Sequence, residues 1–181
     1  MNKLKIKKVG QEVIKLESMA LSKLSKSLNN DFINAVELIH EISGKIIISG
    51  VGKSGNISGK IAASFTSTGI PAIYLNPVDA SHGDMGIVEK NDILIVLSNS
   101  GESHELTDLI NFSKKKKLKI ISITSSNKSL LSKNSDINLI IKFVILPKLM
   151  EVKLWSIDWC FLFELPELPE LKLRDLPELP E

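Results

Sequence analysis

The chain has 181 residues, a net charge of +2, 43% hydrophobic residues and 24% charged residues. That length is enough for one domain with a core, and the hydrophobic share excludes an intrinsically disordered chain. The small net charge argues against nucleic acid as a partner, and the densest basic run, Lys114–Lys117, has no interleaved aromatic residue and reads as a solvated helix end.

The first residues, MNKLKIKKVGQEVIKL, are basic but lack the apolar stretch of a signal peptide. Residues 9–42 read as helix. Val13, Leu16, Met19 or Ala20, Leu21, Leu24 and Leu28 recur at helical spacing, Asn29-Asn30-Asp31 interrupts, and Phe32, Val36 and Ile39 begin a second stripe. Then the texture changes. Lys45–Ser49, Pro71–Leu75, Asp92–Leu97, Leu118–Ile123 and Ile137–Ile141 are short, nearly continuous apolar runs, as in strands buried on both faces of a parallel sheet. Helical segments fall between them at Ser54–Thr68, Glu102–Lys116 and near Ser129–Lys133. This alternation predicts an α/β fold, a doubly wound five-stranded parallel sheet with N-terminal helices.

The run from Ile137 to Met150 is broken by Lys142 and Lys148, so no stretch reaches the ~18 apolar residues of a membrane span. Cys160 is the single cysteine, which excludes an internal disulfide and fits a cytoplasmic location. The last stretch repeats Leu-Pro-Glu, and Pro166, Pro169, Pro177 and Pro180 forbid a packed helix or central strand there. The predicted organisation is a helical region at 1–44, an α/β core at 45–145, a segment at 146–163, and a low-complexity, mostly disordered tail at 164–181.

Four segments carry candidate chemistry. Ser49-Gly50-Val51-Gly52-Lys53-Ser54-Gly55 follows the first strand and opens a helix. Glycines let the backbone approach an anion, and a helix N-terminus adds N–H groups and a positive dipole end; the alternative is a tight turn with an exposed lysine. Gly50, Gly52 and Gly55 satisfy G-x-G-x-x-G, but the second strand ends in Asn76-Pro77 without the acidic residue that holds a ribose. Ile47 stands where a nucleotide P-loop needs its first glycine.

Ser98-Asn99-Ser100-Gly101-Glu102-Ser103 follows the third strand. Its hydroxyls make a phosphate cradle, or Ser100 or Ser103 is a helix N-cap. Glu102 either caps the helix or acts on a substrate proton. In Asp79-Ala80-Ser81-His82-Gly83-Asp84, His82 is a proton shuttle, substrate donor or metal ligand, or a hydrogen-bonded surface residue. Thr124–Ser129, after the fourth strand, adds hydroxyl contacts or is a polar turn.

The run IIISGVGKSGNISGKIAASFTSTGIPAIYLNPVDASHGDMGIV, followed by DILIVLSNSGESHEL, resembles the sugar isomerase (SIS) domain of D-arabinose 5-phosphate isomerases. The resemblance spans roughly residues 10–145. It implies a Rossmann-like domain, a homodimer or homotetramer, no cofactor, and interconversion of arabinose 5-phosphate and ribulose 5-phosphate for bacterial lipopolysaccharide synthesis. By position it implies catalytic roles for Lys53, Glu102 and His82, with His82 also a site for an inhibitory zinc ion. It implies phosphate or substrate contacts at Gly50, Val51, Gly52, Ser54, Gly55, Gly69, Ile70, Asp79, Ser98, Ser100 and Ser103. The chain departs from the family pattern too. Asp79 stands where the family has a glutamate, and beyond the fifth strand the chain reads KFVILPKLMEVKLWSIDWCFLF. Glu151 falls in a region whose surroundings do not match, and neither the family's late histidine nor its CBS domains have a counterpart. The sequence reading is therefore a truncated isomerase with little or no turnover. The alternatives are an inactive phosphosugar-binding remnant and a nucleotide-binding module using GVGKSG.

Overall fold

A computed structural model describes residues 3–141, with side chains from residue 7 onward. The predicted segment at 146–163 and the Leu-Pro-Glu tail lie outside the described residues. The chain divides into two units; helix α1 falls in the first and residues 27–141 in the second. Helix α1 (Lys3–Ser25) leaves Ile14, Met19 and Leu21 exposed. No helix among the described residues is long and apolar enough to cross a membrane.

The second unit holds α2 (Asn30–His40), β1 (Ile46–Gly50), α3 (Lys53–Ser67), β2 (Ala72–Tyr74), α4 (Pro77–Ser81), β3 (Ile93–Leu97), α5 (Thr107–Lys115), β4 (Lys119–Thr124), α6 (Leu130–Lys133) and β5 (Ile137–Ile140). The Asn29 interruption is the N-cap of α2: its side-chain oxygen accepts from the N–H groups of Asp31 and Phe32 at 3.0 and 3.4 Å. The strands form one parallel sheet in the order β2-β1-β3-β4-β5. Ile46 pairs with Ile93 and Ile48 with Ile95, so the isoleucine run of β1 lies beside that of β3 at the centre of the sheet.

Alternation sends these strands into two cores. Ile47, Leu94, Val96 and Ile120 pack with Leu106, Leu109 and Leu131 on one face. Ile46, Ile48, Ile93, Ile95 and Ile121 pack with Ala35 and Ala62 on the other. Each fully buried side chain of this size contributes roughly 1.5–3 kcal/mol, and burial on both faces explains why the strands show no polar alternation. The predicted fold class is therefore present. Two elements differ from the sequence reading, and both lie at the site.

Candidate functional site

The sheet order reverses beside β1, with β2 on one side and β3 on the other. At such a switch point the connections leave toward opposite faces, and a crevice opens outside the carboxyl ends of the strands. The two loops that flank it are Gly50–Gly55 and Ser98–Ser103.

Gly50 ends β1, and Gly52 precedes α3 with φ of 58°, a left-handed value that suits glycine. No side chain caps α3, and its first turn has no acidic residue, so its N-terminus keeps its positive character. Lys53 is exposed at the first helical position, Ser54 is half-buried, and Val51 packs against the core. A Cβ on Gly50 would lie 2.9 Å from Ser58 Oγ, and one on Gly55 would lie 2.6 Å from the Tyr74 hydroxyl. Glycine is thus required for α3 to sit this close to β1 and β2. Tyr74 Oη donates to the Gly50 carbonyl at 3.1 Å, a brace the sequence reading missed. Burial, then the nearby Asp79 charge, pushes the Tyr74 hydroxyl above its usual value, so it stays a donor at neutral pH. Tyr74→Phe is expected to cost about 0.5–1.5 kcal/mol in denaturant unfolding, the value of one ordinary hydrogen bond. A loss below a few tenths would show that the brace is not made.

In the second loop Ser98 is buried, and its Oγ accepts from Gly101 N–H at 3.1 Å and lies 3.2 Å from Ser103 Oγ. Ser100 Oγ accepts from Glu102 N–H at 3.3 Å, and Gly101 takes φ of 69°. The helix expected from Glu102 does not start there. A 3-10 turn at His104–Leu106 precedes α5, which begins at Thr107. Serine side chains that bond their own backbone compete with the helix, and the left-handed glycine ends any continuation backwards. Neither Ser100 nor Ser103 gives its side chain to a helix N-terminus: Ser100 closes the local turn, and Ser103 precedes the 3-10 turn without a side-chain cap. Glu102 does cap a helix, but a different one. Its Oε1 accepts from Leu130 N–H at 3.0 Å, at the start of α6.

The segment expected as a loop around Asp79 is partly helical. Pro77 opens α4, and the Asn76 side chain accepts from Val78 N–H at 3.1 Å. Asparagine followed by proline is a helix-start signal that could have been read from the sequence. Asp79 is exposed on α4, and His82 is exposed just after its end. An open cavity of about 460 Å³ beside this segment is lined by Ile73, Tyr74, Leu75, Gly83, Asp84 and Ile87. Among the described residues no group of three or more His, Cys, Asp or Glu side chains comes together to hold a metal.

Gly69 and Ile70 stand apart from the rest. They follow the end of α3, with Ile70 N–H bonded to Phe65 O at 3.0 Å and Gly69 at φ of 85°. Helix α3 has 15 residues and runs away from the carboxyl edge, which places this turn roughly 22 Å of helix from Lys53. The turn expected to contact substrate therefore lies at the opposite end of α3 from the Gly50–Gly55 loop. Gly69 closes α3, and Ile70, half-buried, packs against the core.

A family model described as the SIS domain matches residues 38–148. This chain belongs to the SIS-domain family. It is 43% identical over 132 residues to the arabinose 5-phosphate isomerase KdsD of Yersinia pestis, covering 73% of this chain and 40% of that protein. It is 45% identical over 131 residues to KdsD of Francisella tularensis, covering 71% and 40%. The chain thus spans about 40% of the length of the curated relatives it matches. Its SIS fold superposes with a TM-score of 0.74 on an E. coli CFT073 protein solved in complex with arabinose 5-phosphate, at 35% identity, covering 78% of this chain and 75% of that one.

Proposed function

We propose that this chain binds a pentose phosphate of the arabinose 5-phosphate type, with the anion between the Gly50–Gly55 and Ser98–Ser103 loops. The observation that carries this reading is the switch-point crevice, flanked by an uncapped helix N-terminus on one side and a hydroxyl-rich turn on the other. The likeness to arabinose 5-phosphate isomerases supports the sugar class. Aldose–ketose interconversion runs through an enediolate: one group moves a proton between neighbouring carbons while donors stabilise the oxyanion. Glu102 is the group assigned to the proton, with Lys53 and His82 assigned to the oxyanion. We assign the exposed apolar residues of α2, Phe32, Ile33 and Val36, which are 40%, 52% and 38% exposed, to contact with a second copy of the chain.

The test is a thermal-shift series with arabinose 5-phosphate, ribulose 5-phosphate, ATP and NAD, followed by a turnover assay. The pentose phosphates are expected to raise Tm and the nucleotides to leave it unchanged; the reverse pattern would end the proposal. Turnover by a polypeptide of these 181 residues is expected to be orders of magnitude below that of a full-length isomerase. Groups that act as a unit in proton transfer are not replaceable singly, and these residues hold no counterpart of the family's late histidine. Robust turnover abolished by Lys53→Ala would overturn that expectation.

A further inference from the structure

The carbonyl of Asn99 joins two loops. It accepts three donors from the end of β4 and the residue after it: Thr124 Oγ1 at 3.1 Å, Ser125 N–H at 3.0 Å and Ser125 Oγ at 2.6 Å. Two further bonds close beside it, from Leu131 N–H to Gly101 O and from Leu130 N–H to Glu102 Oε1, both at 3.0 Å. Thr124 is fully buried, and its hydroxyl stands with Ser129 where a side chain on Gly101 would have to go. A serine–glycine turn left to itself has several competing local hydrogen-bond patterns. Here one pattern is selected from outside the turn.

We propose that Thr124 and Ser125 are positioning residues of the candidate anion site. They hold the Asn99–Glu102 turn in the shape that presents the Ser100 hydroxyl to a phosphate. Neither residue needs to touch the ligand, because the bonds run to the backbone of the turn rather than into the crevice. The proposal rests on the phosphosugar reading for its ligand, while the brace itself is a property of the fold. It also gives the β4–α6 segment a role distinct from direct sugar contact. Three bonds on one carbonyl are redundant, so the effect of removing both hydroxyls exceeds that of removing either.

The experiment uses Thr124→Val, Ser125→Ala, the double variant, and Thr124→Ser as the conservative replacement. Amide hydrogen exchange is followed at Gly101 and Glu102, with Ile47 and Leu94 reporting on the core. Affinity for inorganic phosphate and for arabinose 5-phosphate is measured by calorimetry on the same samples. The double variant is expected to exchange about tenfold faster at Gly101 and Glu102 and to bind both ligands about tenfold more weakly, the worth of roughly one to two hydrogen bonds. Thr124→Ser should behave as the unsubstituted chain, and exchange at Ile47 and Leu94 should not change. Unchanged exchange at Gly101 and Glu102 in the double variant overturns the brace. Equal acceleration at Ile47 and Leu94 also overturns it, since the hydroxyls would then serve only global stability. If Thr124→Val does not fold, Ser125→Ala, at a half-buried position, carries the same comparison. If the unsubstituted chain binds neither ligand while the exchange effect is present, the brace stands and the phosphosugar reading falls.

Discussion

Gly101→Ala is expected to destabilise the chain by about 2–5 kcal/mol and to abolish anion binding, for two additive reasons. The first is conformational: φ of 69° places the residue in the left-handed region, which costs an alanine about 1–2 kcal/mol. The second is space. The new Cβ would press into Ser129 Oγ, lie 2.5 Å from Ser129 Cβ, and lie 3.1 Å from Thr124 Oγ1. Ser129 cannot yield easily. It is buried, and its Oγ accepts from Ser132 N–H at 3.2 Å while bonding the Ser126 carbonyl at 3.0 Å, so moving it uncaps α6. Overpacking of this kind typically costs about 1–3 kcal/mol. Gly69→Ala is the control, because Gly69 has φ of 85° but nothing within 4 Å of the added Cβ. It should show only the conformational cost. Denaturant unfolding of both variants checks this, and equal losses would show that the crowding at Ser129 is relieved without cost.

Asp92→Ala is expected to cost about 3–5 kcal/mol while leaving the site loops intact in the folded fraction. The Asp92 side chain is fully buried. It accepts from Lys45 N–H at 3.0 Å and Glu89 N–H at 2.7 Å and pairs with Lys45 Nζ at 2.9 Å, which ties the entry of β1 to the entry of β3. Removing it leaves two backbone donors without their acceptor and the largely buried Lys45 ammonium with only the exposed Glu89 carboxylate, 3.7 Å away. The clasp lies at the amino edge of the sheet, away from the crevice, so binding per folded molecule should persist.

The same residue sets an acid limb. Burial alone would raise the Asp92 carboxyl. The hydrogen bonds from the Lys45 side chain and from the Lys45 and Glu89 N–H groups, with the Lys45 charge, outweigh it and hold the carboxyl below its ordinary value of 3.8. A depressed carboxyl stabilises the fold fully above its unfolded value, and that contribution is lost as pH falls through the lower folded value. Stability of the unsubstituted chain should therefore drop below about pH 4, and more steeply than that of Asp92→Asn. Parallel acid unfolding curves for the two proteins would contradict this.

Much of the fold was legible in the residues. Five apolar runs between helical stretches leave few arrangements, because strands that lack polar alternation must be covered on both faces. Asn29 as an interruption, glycines at the end of β1 and serines after β3 are local signals, and local signals survive into the tertiary structure. The sheet order that brings Gly50 and Ser98 to one crevice is not a local property. Nor are the placement of Gly69 and Ile70 at the far end of α3, the late start of α5, or the attachment of Glu102 to α6. Each depends on which backbone groups of distant segments remain unsatisfied after packing. The Asn99 carbonyl meets Thr124 and Ser125 only because β3 and β4 are neighbours, and no spacing within either loop encodes that pairing. Composition and periodicity determined that these residues form a parallel α/β sheet, and local motifs marked the glycine- and serine-rich loops at its strand ends. Only the tertiary structure decided which loop shapes which, because a hydrogen bond between segments some 25 residues apart exists only once the chain has closed on itself.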